Sequence, residues 1–198
     1  MSETTITGSS TMQEVLAAYP SAQRALFQKY HIGGCSSCGY QPDEPLESVA
    51  KNHDIQDVSE ILTFLESSAE ADAKMKISVQ DAAQAMKSET PPKMLDVRTP
   101  QEHELASIEG AQLFTQETNQ EMAGWPKDTA IIFTCHSGAR SMDAASFFIG
   151  HAFTNVRYME GGIDAWSQEI DNTVPRYTIE RDPNTQQGVI RPLNASFQ

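Results

Sequence analysis

The sequence predicts an α/β domain, a parallel sheet flanked by helices, preceded by a small all-α domain. Three observations carry that prediction. From Ile77 to Ile170, short apolar and β-branched runs alternate with helix-period segments, which is the rhythm of βαβ units. Ahead of them, residues 5–66 hold four segments with an apolar stripe at helical spacing and no strand pattern. The run Ala130-Ile131-Ile132-Phe133-Thr134 ends on Cys135, and a glycine-bearing loop then feeds the helical pattern Ser141 to His151. Such a strand–loop–helix turn aims backbone N–H groups and the positive end of a helix dipole at one side chain.

In chain order, Thr11-Met12-Gln13-Glu14 is a capping box opening a helix with Val15, Leu16 and Tyr19 on one side. Pro20 and Ser21 break it and start a second, whose apolar face is Ala22, Ala25, Leu26, Phe27 and Tyr30. A turn-rich loop, His31 to Asp43, carries Gly33-Gly34-Cys35-Ser36-Ser37-Cys38-Gly39. A third helix starts near Pro45, with Leu46, Val49 and Ala50 inward. Asp57-Val58-Ser59-Glu60 is a second capping box, ahead of Ile61, Leu62, Phe64 and Leu65. The polar stretch Ser67 to Lys74 either extends that helix or links two domains. Ser78 is an N-cap for Val79 to Lys87, Pro91-Pro92 precedes a strand Lys93 to Val97, and Asn155 to Tyr158 is a further strand. The expected organisation is a small helical domain at 1–67, a linker at 68–76, an α/β domain at 77–171 and a tail at 172–198. The tail's only strand-like piece is Arg176-Tyr177-Thr178-Ile179, and no function attaches to it.

Composition narrows the function. The 198 residues carry a formal net charge of −13, from 27 acidic and 14 basic side chains, which disfavours nucleic-acid and membrane-surface roles. No apolar run is long enough to span a bilayer, and Met1-Ser2-Glu3-Thr4-Thr5 has neither the positive charge nor the apolar core of a signal peptide. Three cysteines are no secreted disulfide framework, so a cytoplasmic protein is expected.

The loop after the central strand favours a nucleophilic thiolate at Cys135, with Arg140 adding positive charge to the same rim. Four residues separate Cys135 from Arg140, and Ser141 follows. Cysteine phosphatases and arsenate reductases resemble this loop but are one residue longer there, enough to cradle a tetrahedral oxyanion. The tighter ring suits a single extra sulfur atom. The loop resembles the active-site loop of rhodanese-type sulfurtransferases. Met94-Leu95-Asp96-Val97-Arg98-Thr99-Pro100-Gln101-Glu102 resembles that family's LDVRxxxE segment, and Gly161-Gly162-Ile163-Asp164-Ala165-Trp166 its GGxxxW segment. The match departs from the family at Leu105-Ala106-Ser107-Ile108, where Gly-His-Ile is common.

The resemblance implies that Cys135 carries a persulfide taken from thiosulfate or a low-molecular-weight persulfide and passed to a thiol, dithiol or other acceptor. Arg140 would hold the donor's anionic group, and neither cofactor nor metal is needed. His136, Ser137, Gly138 and Ala139 complete the loop. A mostly neutral His136, where many relatives place arginine or lysine, makes small dianionic donors poor substrates; the competing reading is a solvent-facing histidine. Asp96 is expected near the loop, hydrogen-bonding it, Arg98 is expected to pair with Glu102, and Trp166 to pack in the core.

Cys35 and Cys38 form a CxxC in a segment resembling the small helical disulfide domain associated with hybrid-cluster proteins. A dithiol/disulfide pair is favoured. A zinc site with His31 and His53 matches no common spacing, and an iron–sulfur cluster needs thiolates from two chains. Tethering that dithiol to a persulfide carrier would raise its effective concentration as an acceptor. The readings that compete with a sulfurtransferase are a non-turnover sulfane-sulfur or redox-sensing module and, against the loop length, a cysteine phosphatase or arsenate reductase.

Overall fold

In the computed structural model, residues 5–19, 21–33, 39–181 and 188–193 are described. The chain divides into two units, Met1–Lys74 and Met75–Gln198. In the first, α1 (Met12–Ala18), α2 (Ala22–Tyr30), α3 (Leu46–Asn52) and α4 (Val58–Met75) bury Met12, Val15, Leu26, Ile32, Leu46, Ile61 and Leu65 in one apolar core. The Thr11 hydroxyl accepts the Glu14 N–H at 3.3 Å and the Glu14 carboxylate accepts the Thr11 N–H at 2.7 Å, completing the first capping box. The second is half formed. Asp57 accepts the Ser59 N–H at 2.9 Å, but Glu60 turns away to Lys29 at 3.0 Å and the Tyr30 hydroxyl at 3.1 Å.

Of the two readings of residues 67–74, helix extension is the one seen: α4 runs through the stretch to Met75. Its alanines, glutamates and lysine are good helix formers, and neither glycine nor proline interrupts them. Asp72, buried within that stretch, takes both its carboxylate contacts from Arg24 of α2, at 2.6 and 2.8 Å. That pair gives the last turns of α4 a reason to stay wound.

The second unit is built on a five-stranded parallel sheet. Its strands are β1 (Lys76–Ile77), β2 (Lys93–Asp96), β3 (Ala111–Leu113), β4 (Ile131–Thr134) and β5 (Val156–Met159), in the order β1-β5-β4-β2-β3. The helices are α5 (Val79–Met86), α6 (Pro100–Leu105), α7 (Gln116–Met122), α8 (Ala139–Gly150) and α9 (Gly162–Glu169). All four residues of β4 are buried, as a strand covered on both faces requires. Alternation sorts its side chains: Ile132 joins Met94, Met159, Ile163 and Trp166 in one core, and Ile131 and Phe133 join Leu95, Met122, Ala145 and Phe148 in the other. Phe133 stacks on Phe148 of α8 at 5.2 Å, so the helix leaving the cysteine loop is held to the strand entering it.

The tail is more than a strand-like piece. β6 (Tyr177–Arg181) and β7 (Gly188–Pro192) pair antiparallel as a hairpin, with Ile179 opposite Ile190 and Tyr177 opposite Pro192. Tyr177 is 1% exposed and packs in the core that holds Trp166. Among the described residues, no helix is long and apolar enough to cross a membrane.

Candidate active site

Cys135 follows the last residue of β4 and is 1% exposed. Its sulfur faces the Gly138 N–H at 3.1 Å, the Ser141 N–H at 3.4 Å and the Ser141 hydroxyl at 3.5 Å. Helix α8 starts at Ala139, two residues earlier than the sequence pattern suggests, so its positive end lies against the thiol. The Ser141 hydroxyl donates to the Gly138 carbonyl at 2.9 Å, which leaves a lone pair toward sulfur. A Cys135 thiol donates to it; a thiolate draws the hydroxyl proton round to itself.

Two glycine positions make this loop geometry possible. Gly138 has φ +103°, and a side chain there would press on the Gly161 N and Met159 O. Gly162 has φ +57°, and a Cβ there would lie 2.3 Å from the Cys135 carbonyl oxygen and 2.6 Å from the His136 carbonyl carbon. That close approach lets the first turn of α9 take over the loop's carbonyls: Ile163 N–H donates to Cys135 O at 2.8 Å and Asp164 N–H to His136 O at 3.1 Å. With those carbonyls tied outward, donors rather than acceptors face the sulfur.

Arg140 is 40% exposed at its side chain and closes both arms on Glu102, at 2.8 and 2.7 Å. Glu102, 2% exposed, is also the N3 residue of a capping box with Thr99 and accepts the Tyr177 hydroxyl at 2.9 Å. Burial alone would raise its pKa, but the bonds from Arg140, the Thr99 N–H and Tyr177 reverse this and hold it at about 2.

Two expectations are corrected here. Arg98 does not pair with the Glu102 carboxylate. Its Nε lies 2.9 Å and 3.0 Å from the two Asp96 oxygens, with its other nitrogens on the Glu102 and Ala106 carbonyls and the Tyr177 hydroxyl. Asp96, expected on the loop, instead accepts from Arg98 and meets His103 Nδ1 at 2.7 Å. The reason is local: Arg98 folds back over the carboxylate two residues before it, and Glu102 is already turned to cap α6.

His136 is half-buried and its ring lies 4.4 Å from that of Tyr177. Burial lowers its pKa, and Arg140 and Arg98 add to this against the pull of Asp164 and Glu102, so the imidazole is neutral near pH 7. Ser137 and Ala139 are exposed on the loop's outer side. Cys35 and Cys38, and any chemistry they share, lie outside the described residues. Sequence reasoning placed Tyr177 on a strand but missed its part in the site, and gave Glu102 the wrong partner. The Thr99-Pro100-Gln101-Glu102 capping box was a readable signal for the latter.

The rhodanese-like domain family matches residues 78–169. The thiosulfate sulfurtransferase GlpE of Vibrio cholerae is 32% identical over 87 residues, covering 43% of this chain and 82% of that protein. The chloroplastic rhodanese-like/PpiC domain-containing protein 12 of Arabidopsis thaliana is 33% identical over 96 residues, 42% of this chain and 30% of its own length. The chain thus spans under a third of some of the curated relatives it matches. A rhodanese-like domain protein from Staphylococcus aureus, of known structure, is 24% identical over 48% of this chain and 93% of its own, with a TM-score of 0.42; at that score the likeness adds no argument. The chain belongs to the rhodanese-like family, whose matched members include named sulfurtransferases.

Proposed function

We propose that the protein is a sulfurtransferase whose Cys135 carries the transferred sulfur as a persulfide. The observation that supports this best is the pair of backbone N–H donors on the Cys135 sulfur, from Gly138 and Ser141, at the positive end of α8, with the Ser141 hydroxyl 3.5 Å away. The Cys135 thiolate attacks the outer sulfur of the donor. One S–S bond forms, one breaks, and the leaving group departs as sulfite from thiosulfate or as a thiolate from a persulfide. An acceptor thiolate then attacks the outer sulfur of the adduct and returns Cys135 as thiolate. The chain's own candidate acceptor is the Cys35/Cys38 dithiol.

A rim whose arginine is matched by Glu102 and whose histidine is neutral suits a donor of low charge better than a dianion. Exposure to thiosulfate or cysteine persulfide is expected to add one sulfur atom to the intact mass, and Cys135→Ser to remain unmodified. Equal gain in that variant would end the proposal. His136→Arg, by restoring positive charge beside the nucleophile, is expected to lower the thiosulfate KM by about threefold or more; a titration of loading against thiosulfate concentration reads this. The burial of Cys135 also fits a sulfane-sulfur sensing module. Thiocyanate formation from thiosulfate and cyanide separates the two, since a sensor loads without turning over.

A further inference from the structure

We infer that Tyr177, on the C-terminal hairpin, is a positioning residue that sets donor choice at Cys135 by holding Glu102 against Arg140. The inference rests on the persulfide reading and deepens it. Tyr177 lies beyond residues 78–169, the span matched by the family.

Its hydroxyl has no freedom of direction. Arg98 Nη1 donates to it at 2.9 Å, so its one proton goes to Glu102 Oε1, at 2.9 Å. Arg98 itself is fixed by Asp96 and by the Glu102 and Ala106 carbonyls, at 3.1 and 2.6 Å. The hydroxyl therefore takes its position from a buried frame behind the loop, not from the loop. Burial also raises the Tyr177 pKa, so the donor persists at every working pH. At the other end, Glu102 Oε1 accepts from both the Tyr177 hydroxyl and Arg140 Nη2, while Oε2 accepts from Arg140 Nη1 and the Thr99 N–H and hydroxyl. The hydroxyl is what keeps Oε1 aimed at Arg140. Without it the carboxylate is anchored through Oε2 alone, by Thr99 and Arg140 Nη1, and Nη2 becomes free to meet an oxyanion over Cys135. The Tyr177 ring, 4.4 Å from His136, covers the same rim. A dianion such as thiosulfate, whose leaving sulfur carries the oxygens, gains from a released guanidinium; a cysteine persulfide, whose leaving sulfur carries none and whose carboxylate is offset by its own ammonium group, gains far less.

Tyr177→Phe keeps the ring and removes the bond. Loading of Cys135, followed by intact mass in the full chain, is expected to show a thiosulfate KM about three- to tenfold lower and a cysteine persulfide KM within about twofold of wild type. The Glu102 carboxyl, titrated by NMR, is expected to move up from about 2. Glu102→Gln should shift donor preference in the same direction, and adding Tyr177→Phe to it should change nothing further, because both act through one link. A folded Tyr177→Phe protein with unaltered donor preference overturns the inference, as do independent, additive effects in the double variant. If wild type loads from neither donor, the persulfide reading fails by itself; the Glu102 titration then still decides, and an unmoved carboxyl rules out Tyr177 as its holder.

Discussion

Gly162→Ala is expected to abolish sulfur loading at Cys135 and to lower the stability of the second unit by on the order of 3 kcal/mol. Two costs add. The residue sits at φ +57°, where a side chain is disfavoured by about 1–2 kcal/mol. The new methyl would also lie 2.3 Å from the Cys135 carbonyl oxygen and 2.6 Å from the His136 carbonyl carbon and oxygen. These are backbone atoms that cannot rotate aside, and overpacking of this kind costs about 1–3 kcal/mol. The clash relaxes only by pushing the loop off the first turn of α9, which breaks the Ile163 and Asp164 N–H bonds to the loop carbonyls. Those carbonyls are then free to turn inward, and the amide ring around the sulfur is lost. A thermal midpoint lower by about 10 °C is expected for a unit of this size. Gly150→Ala is the control: nothing lies within 4 Å of its Cβ position at the end of α8, so loading and midpoint should match or slightly exceed wild type. Equal loading by Gly162→Ala and wild type would mean that the loop does not depend on this contact.

What could be read from sequence here was what is encoded locally. A buried strand, a cysteine, a glycine and a helix follow one another within about twenty residues, and each leaves its own mark on composition. The Thr11 capping box and the Ser78 cap are local in the same way, and both form. β1 left almost no mark because it is two residues long and exists only through pairing with β5. Glu60 illustrates a local signal overridden by a distant one, since Lys29 and Tyr30 take the carboxylate that the capping pattern assigns to the helix start. Tyr177 is the extreme case. Its place on a strand was legible, but its partners Glu102 and Arg98 lie 75 and 79 positions away, and nothing in the local pattern points to them. The wrong partner chosen for Glu102 has the same origin: proximity in sequence favoured Arg98, but Arg140, 38 positions on, reaches its carboxylate with both arms.

Acidification is expected to remove on the order of 3 kcal/mol from the second unit through Glu102 alone. The carboxyl titrates at about 2 in the folded chain, against an ordinary value of 4.5. The folded state therefore binds its proton later than the unfolded state does. The stabilisation is fully present above about pH 4.5 and is lost as pH falls toward 2, with about 2 kcal/mol gone by pH 3. Other carboxylates titrate in this window too, so the contribution must be isolated by difference. Both tryptophans, Trp125 and Trp166, belong to the second unit, and their fluorescence in urea reports its unfolding separately. Glu102→Gln should start about 2–3 kcal/mol below wild type at pH 7, because it leaves Arg140 and the Tyr177 hydroxyl with a weaker acceptor. Its curve should then fall less steeply and meet that of wild type near pH 2. Tyr177→Phe should lie between them, since it weakens the hold on Oε1 but leaves the bonds to Oε2, from Arg140 Nη1 and Thr99, in place. Parallel curves for wild type and Glu102→Gln would mean that the buried carboxylate is not held ionised by this network, and the balanced charge ascribed to the rim over Cys135 would lose its foundation.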